Sequence, residues 1–133
     1  MELTHRERDC LVFIGNDIKG GFPDRLIDLS KKLKVKPPTT IQLLDKLESK
    51  GLISRKGGMV ILTDNGKKIY HDVTESHRII EVMLYSYGIP KGECCEVASE
   101  IDYVFKHDLI ERLSSNLGNP KLCPHGNPVN EEL

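Results

Sequence analysis

The sequence predicts a mainly α-helical fold, in which a winged helix-turn-helix domain over residues 1–70 precedes an all-helical domain over residues 71–133. Apolar residues recur at helical spacing in six segments, two short β-rich runs flank a pair of glycines, and the charge reverses near residue 70. Residues 1–70 carry 14 basic and 9 acidic side chains, net +5, whereas residues 71–133 carry 5 and 11, net −6. This asymmetry indicates a basic domain that binds a polyanion and an acidic domain with a different function.

Caps and breaks delimit three helices in the first domain. The first begins at the capping box of residues 4–7, Thr-His-Arg-Glu, and stops at Gly20. Asp24 is predicted to cap a second helix with an apolar stripe on one side and lysines on the other. The third helix is predicted to start at Pro37 and to end at Gly51, because proline suits the first turn of a helix.

A β-hairpin is predicted after the third helix. Residues 52–56 and 59–63 are short β-rich runs, and Gly57-Gly58 between them forms a two-residue turn. Three helices followed by a hairpin with a basic tip is the winged helix-turn-helix arrangement. These signals agree with one another, which makes the prediction stronger than any single motif.

Three further helices are predicted in the second domain. A long helix runs from Thr63-Asp64 to about Tyr87, and the others cover about 93–105 and 108–117. The tail at 123–128, Cys-Pro-His-Gly-Asn-Pro, shows no periodicity. A second domain of about 60 residues can bury only a small core, so we expect it to complete that core by forming a homodimer.

The first turns of the third helix and the tip of the hairpin are predicted to contact double-stranded operator DNA. In a helix-turn-helix the second helix of the motif enters the major groove, where lysine neutralises phosphate and glutamine bonds adenine. A lysine-rich helix face taken alone is more often a solvated surface, but helix order, hairpin and charge asymmetry together favour DNA binding. The predicted contacts are Lys36, Pro38, Thr39, Thr40, Gln42, Arg55 and Lys56.

Two helix faces carry groups that can bind a metal. His77 and Glu81 are four residues apart, so they share one face of the long helix. Cys95, Ser99 and Asp102 share one face of the fifth helix in the same way. A His-Glu pair at this spacing is more often a solvated surface pair, so spacing alone leaves both interpretations open.

Four motifs carry a family resemblance. They are Val-Lys-Pro-Pro-Thr-Thr-Ile-Gln at 35–42, Leu-Thr-x-x-Gly at 62–66, His-Arg-Ile-Ile-Glu at 77–81 and the tail at 123–128. In this order, and over nearly the whole chain, the sequence resembles the diphtheria-toxin-repressor family of iron- or manganese-dependent transcription repressors. The resemblance implies the two-domain form of the family, a homodimer in which Fe²⁺ or Mn²⁺ favours the DNA-binding conformation, and repression of metal-uptake genes.

The resemblance also implies a set of metal ligands. His77 and Glu81 match family ligands directly, and Asp9 falls where the manganese-sensing branch has an aspartate. Cys95 stands where the iron-sensing branch has a histidine, and Asp102 stands where the family has a glutamate. These five residues are the predicted metal ligands.

The chain departs from the family pattern at two ligand positions. Ser99 replaces a cysteine or glutamate and Tyr103 replaces a histidine, so the usual primary site is depleted. Cys123 and His125 could supply substitutes, although a Gly- and Pro-containing tail also fits a simple turn. A thiolate beside imidazole favours iron over manganese, with Zn²⁺, Co²⁺ or Ni²⁺ as substitutes in vitro.

Asp9 is predicted to couple the two functions. It belongs to the DNA-binding half, so a metal that joins it to His77 ties the two halves together. Half-sites in B-form DNA lie about 34 Å apart or at multiples of that, so the separation of two recognition helices decides whether both dock.

Other classes of protein find less support. No apolar run approaches about 18 residues and the N-terminus lacks a secretory signal, so we expect a cytoplasmic protein without a membrane partner. The four cysteines do not form a disulfide pattern, but a winged-helix regulator that senses redox state through Cys94, Cys95 or Cys123 remains an alternative. A zinc hydrolase using His77, Glu81 and Cys95 lacks a general base and a nucleophile, so we expect no enzyme.

Overall fold

The computed structural model describes residues 2–131 and is mainly helical, as predicted. The described residues form six helices and a two-stranded antiparallel sheet. The elements are α1 (His5–Lys19), α2 (Leu26–Leu33), α3 (Pro37–Ser49), β1 (Ile53–Lys56), β2 (Met59–Leu62), α4 (Asp64–Ser86), α5 (Lys91–Ile101) and α6 (His107–Asn116). The chain divides into two compact units, Leu3–Tyr70 and the part from His71 onward, with the division inside α4.

The N-terminal unit is a winged helix-turn-helix built on one apolar core. Thr4 caps α1 as predicted: its Oγ1 accepts from the backbone N–H of Glu7 at 3.2 Å, and its own N–H donates to the Glu7 carboxylate at 3.0 Å. The helices and the hairpin bury a shared set of side chains, among them Leu11, Ile14, Leu29, Leu44, Leu47, Leu52 and Val60. The six helical and two extended segments therefore confirm the predicted fold class.

The hairpin forms with the predicted turn. Ile53 pairs with Leu62 and Lys56 pairs with Met59, which leaves Gly57 and Gly58 as the two turn residues. Their φ angles are +57° and +78°, the combination that a type I′ turn requires and that glycine adopts without strain. The turn presents Lys56 at the exposed tip of the wing.

The start of α2 and the end of α5 differ from the predicted boundaries. The N-cap of α2 is Arg25 rather than Asp24, because the Asp28 carboxylate accepts from the Arg25 N–H at 3.0 Å. Asp24 is instead buried, with Oδ1 3.2 Å from Nζ of Lys32. Helix α5 ends at Ile101 rather than near residue 105, since the chain turns through residues 102–104.

The C-terminal unit packs its helices around a second core, which includes Ile79, Ile80, Ala98 and Ile110. The tail without periodicity also joins this core. The N–H of Cys123 donates to the carbonyl of Asn127 at 2.8 Å, the N–H of Val129 donates to the carbonyl of Lys121 at 2.9 Å, and Val129 is buried. These backbone hydrogen bonds and the burial of Val129 fix the tail as a turn, which holds Cys123 and His125 in place.

Helices long and apolar enough to cross a membrane are absent from the part of the chain that the structure describes.

Candidate metal centre and DNA-binding surface

His77 and Glu81 meet on one face of α4, as their spacing predicts. Nε2 of His77 lies 3.2 Å from Oε1 of Glu81. Glu81 is only 2% exposed, so its carboxylate faces the interior of the unit rather than solvent. A buried carboxylate is costly unless it meets a positive charge or a metal ion, so this pair is not a solvated surface pair.

Asp102 lies on the other ring nitrogen of the same histidine. Its Oδ2 is 3.0 Å from Nδ1 of His77, and the residue is 1% exposed. Histidines that bind metals usually donate their second N–H to a carboxylate, which fixes the ring and leaves Nε2 for the metal. Because Asp102 faces Nδ1, it is placed to orient His77, and its role as a metal ligand stays a prediction.

The electrostatics of His77 follow from these two carboxylates. Burial alone would lower the pKa of His77, but hydrogen bonds to Asp102 and Glu81 outweigh it and raise the pKa to about 10. The imidazole is therefore a cation at neutral pH in the absence of a metal, and it carries the positive charge between two buried anions.

Cys95 completes a three-residue set around Nε2. Its Sγ lies 3.6 Å from Nε2 of His77, and donor atoms of His77, Glu81 and Cys95 all fall within 4.8 Å of one another. We call these three residues the helix set. Ser99, on the same face of α5, donates its hydroxyl to the carbonyl of Cys95 at 2.9 Å, so this hydroxyl bonds to its own helix.

A second set forms where the tail returns to α4. Nδ1 of His125 lies 2.8 Å from Oε2 of Glu81, and donor atoms of Glu81, Cys123 and His125 fall within 4.8 Å of one another. We call these the tail set. Oε2 of Glu81 is buried, and the imidazole of His125 contacts it without the geometry of a hydrogen bond. The pair Cys-x-His in the tail was the sequence signal for this set.

The donors fit a transition-metal ion. A buried carboxylate that meets an imidazole at each of its two oxygens is placed as a metal ligand can be. Two thiols and two imidazoles around one carboxylate are softer than the oxygen-rich sites that suit Mn²⁺ or Mg²⁺. The helix and tail sets can therefore hold Fe²⁺, Zn²⁺ or Co²⁺.

Asp9 lies in the N-terminal unit, where its carboxylate contacts two neighbours on α1. Nε2 of His5 is 3.4 Å from one oxygen, and Arg8 donates to the other at 2.9 Å. Its role as a metal ligand stays a prediction.

Sequence reasoning missed a third, more exposed group. Asp72, Glu75 and His107 bring donor atoms within 4.8 Å of one another, and His107 also contacts Glu111 at 3.0 Å. The i, i+3 spacing of Asp72 and Glu75 was the available signal. Half of the His107 side chain is exposed, and its contacts are those of a surface ion-pair cluster.

Two of the four cysteines are unsuited to redox or metal chemistry. Burial raises the pKa of Cys10 to about 12, with nearby acidic residues adding to the effect. Burial likewise raises the pKa of Cys94, whose thiol donates to the carbonyl of Ile89 at 3.3 Å. Cys94 therefore stays a thiol, which weakens the redox alternative at this position.

The first turns of α3 present part of the predicted DNA-binding surface. Lys36, Pro38 and Gln42 are exposed, and Thr39 is partly exposed. Thr40 is not available: it is 0% exposed, and its Oγ1 lies 2.8 Å from Oγ of Ser30 on α2. The predicted DNA contact of Thr40 is wrong, because its hydroxyl joins the two helices of the motif instead.

Arg55 on the wing has acidic partners within its own unit. It donates to Asp45 at 2.6 Å and approaches Glu48 at 3.5 Å, and both acids belong to α3. Its charge is thus partly neutralised, whereas Lys56 next to it is exposed at the turn. This pairing depends on how the hairpin packs beside α3, so no local sequence pattern predicts it.

A winged helix-turn-helix unit and a helical unit with a buried donor cluster together define a DNA-binding regulator with a metal-binding domain. The family model for the metal binding and dimerisation domain of iron-dependent repressors matches residues 63–131, and the MarR family model matches residues 23–57. The chain belongs to the iron-dependent repressor family, whose members regulate transcription and are not enzymes.

Two relatives found by sequence are also named as a transcriptional regulator or a repressor. The iron-dependent repressor IdeR of Mycobacterium tuberculosis is 30% identical over 103 residues, which cover 76% of this chain and 45% of that protein. An uncharacterized HTH-type transcriptional regulator of Aeropyrum pernix is 29% identical over 119 residues, covering 89% of this chain and 66% of that protein. The chain thus spans between about half and two thirds of the length of these relatives.

Solved structures share the fold over nearly the whole chain. A hypothetical protein of Sulfolobus solfataricus is 32% identical with a TM-score of 0.83, and the match covers 97% of this chain and 100% of that one. ScaR with bound Zn²⁺ is 28% identical with a TM-score of 0.82, covering 96% of this chain and 61% of that one.

Proposed function

We propose that this protein is a metal-dependent transcriptional repressor that binds operator DNA as a homodimer and controls genes of metal homeostasis, with Fe²⁺ as the activating metal. The observation that carries the proposal is the buried carboxylate of Glu81, which contacts two imidazoles and shares two donor groups with thiols among residues 2–131. Membership of the iron-dependent repressor family supports it.

The metal-binding part of the proposal uses residues of the C-terminal unit. His77, Glu81 and Cys95 would hold one cation, Cys123 and His125 would contribute from the tail, and Asp102 would orient His77. A bound divalent cation supplies positive charge to Glu81 and can replace the proton on Nε2 of His77. The side chains then hold α4, α5 and the tail in one arrangement.

Iron is preferred on donor chemistry. The thiols and imidazoles favour Fe²⁺, Zn²⁺ or Co²⁺ over Mn²⁺. IdeR is named as an iron-dependent repressor, whereas SloR is named as a manganese regulator and ScaR, which has been solved with bound Zn²⁺, as a manganese-activated repressor. The preference for iron in this chain therefore rests on its donor atoms.

The homodimer is supported by exposed apolar residues of the C-terminal unit. A unit of this size rarely exposes many large apolar side chains without a partner. The matched family model is described as a dimerisation domain. The exposed residues are Tyr85, Tyr87, Val97, Val104, Leu109 and Leu122.

We propose that the dimer binds its operator in the conformation in which these side chains hold the cation. Shifting such an equilibrium from 1:99 to 99:1 requires about 5.5 kcal/mol of differential binding. Lys36, Pro38, Thr39 and Gln42 would contact DNA from α3, and Arg55 and Lys56 would contact it from the wing.

The test uses the full chain, purified without oxygen. A duplex selected from a random pool by the Fe²⁺-loaded protein is labelled, and its binding is followed by fluorescence anisotropy with Fe²⁺ and with chelator. We expect tight binding with Fe²⁺ only, and a loss of about 10³- to 10⁵-fold between 50 and 200 mM salt if six to ten phosphates are contacted. Equal binding with chelator would overturn the metal dependence, and a flat salt response would overturn the DNA-binding surface.

A further inference from the structure

We propose that Lys34, in the turn between α2 and α3, binds a phosphate of operator DNA and takes the place of backbone N–H groups that the start of α3 lacks. This inference rests on the proposed function, since it assumes that α3 enters the major groove. What it adds is a DNA-binding residue outside the predicted contacts and a physical reason for its position.

The start of α3 offers fewer backbone donors than most helices do. The first N–H groups of a helix have no partner within the helix and can bind a phosphate. Here Pro37 and Pro38 occupy the first two positions and have no N–H. The N–H of Thr39 donates to the carbonyl of Lys36 at 3.0 Å. A phosphate beside the start of α3 must therefore be bound mainly by side chains.

Lys34 has a backbone conformation that lysine rarely adopts. It follows the last residue of α2 with φ +57° and ψ +43°, in the left-handed region, and its N–H donates to the carbonyl of Lys31 at 3.2 Å. Glycine adopts this conformation without strain and is the usual residue at this position. Among residues 2–131 the other non-glycine residue with positive φ is Asn119, and asparagine tolerates it well. A residue that is unfavourable for the backbone points to a function of the side chain.

The ammonium group of Lys34 is available to a phosphate. Lys34 is exposed and forms no ion pair with the residues that the structure describes, whereas Lys32 contacts Asp24 at 3.2 Å. In a helix-turn-helix the first helix of the motif crosses the DNA backbone and the second enters the groove, so the turn between them lies beside the phosphates. Lys34 therefore supplies positive charge where the backbone of α3 supplies few donors.

A structural role for this charge makes a different prediction. A cation near the C-terminus of α2 interacts favourably with the helix dipole. Lys31 and Lys32, in the last turn of α2, already supply such charges. If Lys34 served the helix alone, its removal would lower stability and leave the salt dependence of DNA binding unchanged.

The experiment measures the operator affinity of the full, Fe²⁺-loaded chain against salt concentration for wild type and for Lys34→Gly, which fits the backbone but removes the charge. The variant homodimer loses two phosphate contacts, so we expect affinity to fall by about 10-fold or more at about 100 mM salt. The slope of log Kobs against log salt should become shallower by about 1.8, since each phosphate contributes about 0.9. The operator and a scrambled duplex should lose affinity by the same factor, because a phosphate contact carries no sequence information.

Two control variants and a stability measurement complete the test. Lys34→Arg keeps the charge, and Lys106→Asn removes an exposed lysine of the C-terminal unit, so both should keep the wild-type slope. Lys34→Gly should unfold at a urea concentration no lower than wild type does. An unchanged slope in Lys34→Gly, with or without a loss of stability, would overturn the role of Lys34 and leave the proposed function standing. Wild-type protein that binds no duplex, or binds with a flat salt response, would overturn both.

Discussion

Glu7 in the N-terminal unit and Glu81 in the C-terminal unit are both buried glutamates, but different groups neutralise them. Glu7 is 1% exposed and accepts from Nζ of Lys50 at 2.7 Å. Burial would raise the pKa of Glu7, but the bonds to Lys50 and Thr4 outweigh it and lower the pKa. Glu81 meets the imidazoles of His77 and His125 instead.

Because of this difference, Glu7 needs no ligand to neutralise it, whereas Glu81 can bind one. Lysine stays charged at neutral pH, so Glu7 is neutralised whenever the N-terminal unit is folded. An imidazole can lose its proton and then bind a metal with the nitrogen that it frees. The N-terminal unit therefore needs no ligand at its buried glutamate, whereas the C-terminal unit is arranged to take one.

Glu81→Gln should have the largest effect, and it should act on both metal binding and stability. The amide removes the charge that both donor sets share, so we expect metal affinity to fall more than about 100-fold and metal-dependent operator binding to disappear. The metal-free variant should also be less stable than metal-free wild type at neutral pH, because the buried imidazole of His77 loses one of its two carboxylate partners. Calorimetric titration and urea unfolding with chelator measure the two effects, and retained metal-dependent operator binding would contradict the assignment.

Lys50→Met should destabilise the N-terminal unit whether or not metal is bound. It leaves the Glu7 carboxylate buried without its lysine, and since Lys50 is partly exposed we expect a loss of about 2–3 kcal/mol of unfolding free energy. The loss should be the same with metal or chelator. Lys46→Met, an exposed lysine on α3, is the control and should change stability by less than about 0.5 kcal/mol.

Asp102→Asn should weaken metal binding without changing the number of ions. The amide oxygen can still accept from Nδ1 of His77, but without a negative charge, so we expect affinity to fall by about 10-fold. Asp108→Asn, exposed at the start of α6, is the matched control. Loss of a whole equivalent of metal would show that Asp102 is a ligand after all.

Asp24→Asn should have the smallest effect, and it should depend on pH. Burial and the neighbouring Asp17 raise the pKa of Asp24 to about 7, although Lys32 opposes the rise. The folded protein therefore binds an extra proton between about pH 4 and 7, and this contribution to wild-type stability is lost as the pH rises through 7. The variant should not show this pH-dependent loss. Its free energy of unfolding should therefore exceed that of wild type by on the order of 1 kcal/mol between about pH 5 and 8, as measured by urea unfolding. Parallel pH profiles would contradict it.

Most of the fold was predictable, because its signals are local. The Thr4 capping box, the glycine pair of the hairpin and the apolar spacing of six helices each act within a few residues. The burial of Thr40 and the pairing of Arg55 with Asp45 were not predictable, since they depend on how α2 and β1 pack against α3. Local patterns give elements and not the contacts between them.

In the candidate site, too, some contacts follow from the sequence and others depend on packing. The meeting of His77 and Glu81 follows from one turn of helix, so the sequence was enough. Which ring nitrogen Asp102 faces depends on the rotation of α5 beside α4, so helix-face reasoning could not decide between ligand and orienting residue. The tail had no periodicity to place it, and only its backbone bonds and the burial of Val129 set Cys123 and His125 against Glu81.

Amide hydrogen exchange with and without metal tests the contrast between the two units most directly. With Co²⁺ at about 100 times its dissociation constant, binding stabilises the folded state by about 2.7 kcal/mol, which slows exchange by about 100-fold where it requires opening of the metal-binding unit. We predict this slowing in segments 77–81, 94–102 and 121–129, and a change of less than about 10-fold in α1, α2 and α3. Unchanged exchange in those three segments, or equal slowing in both units, would contradict the claim that metal binds in the C-terminal unit and leaves the N-terminal unit unchanged.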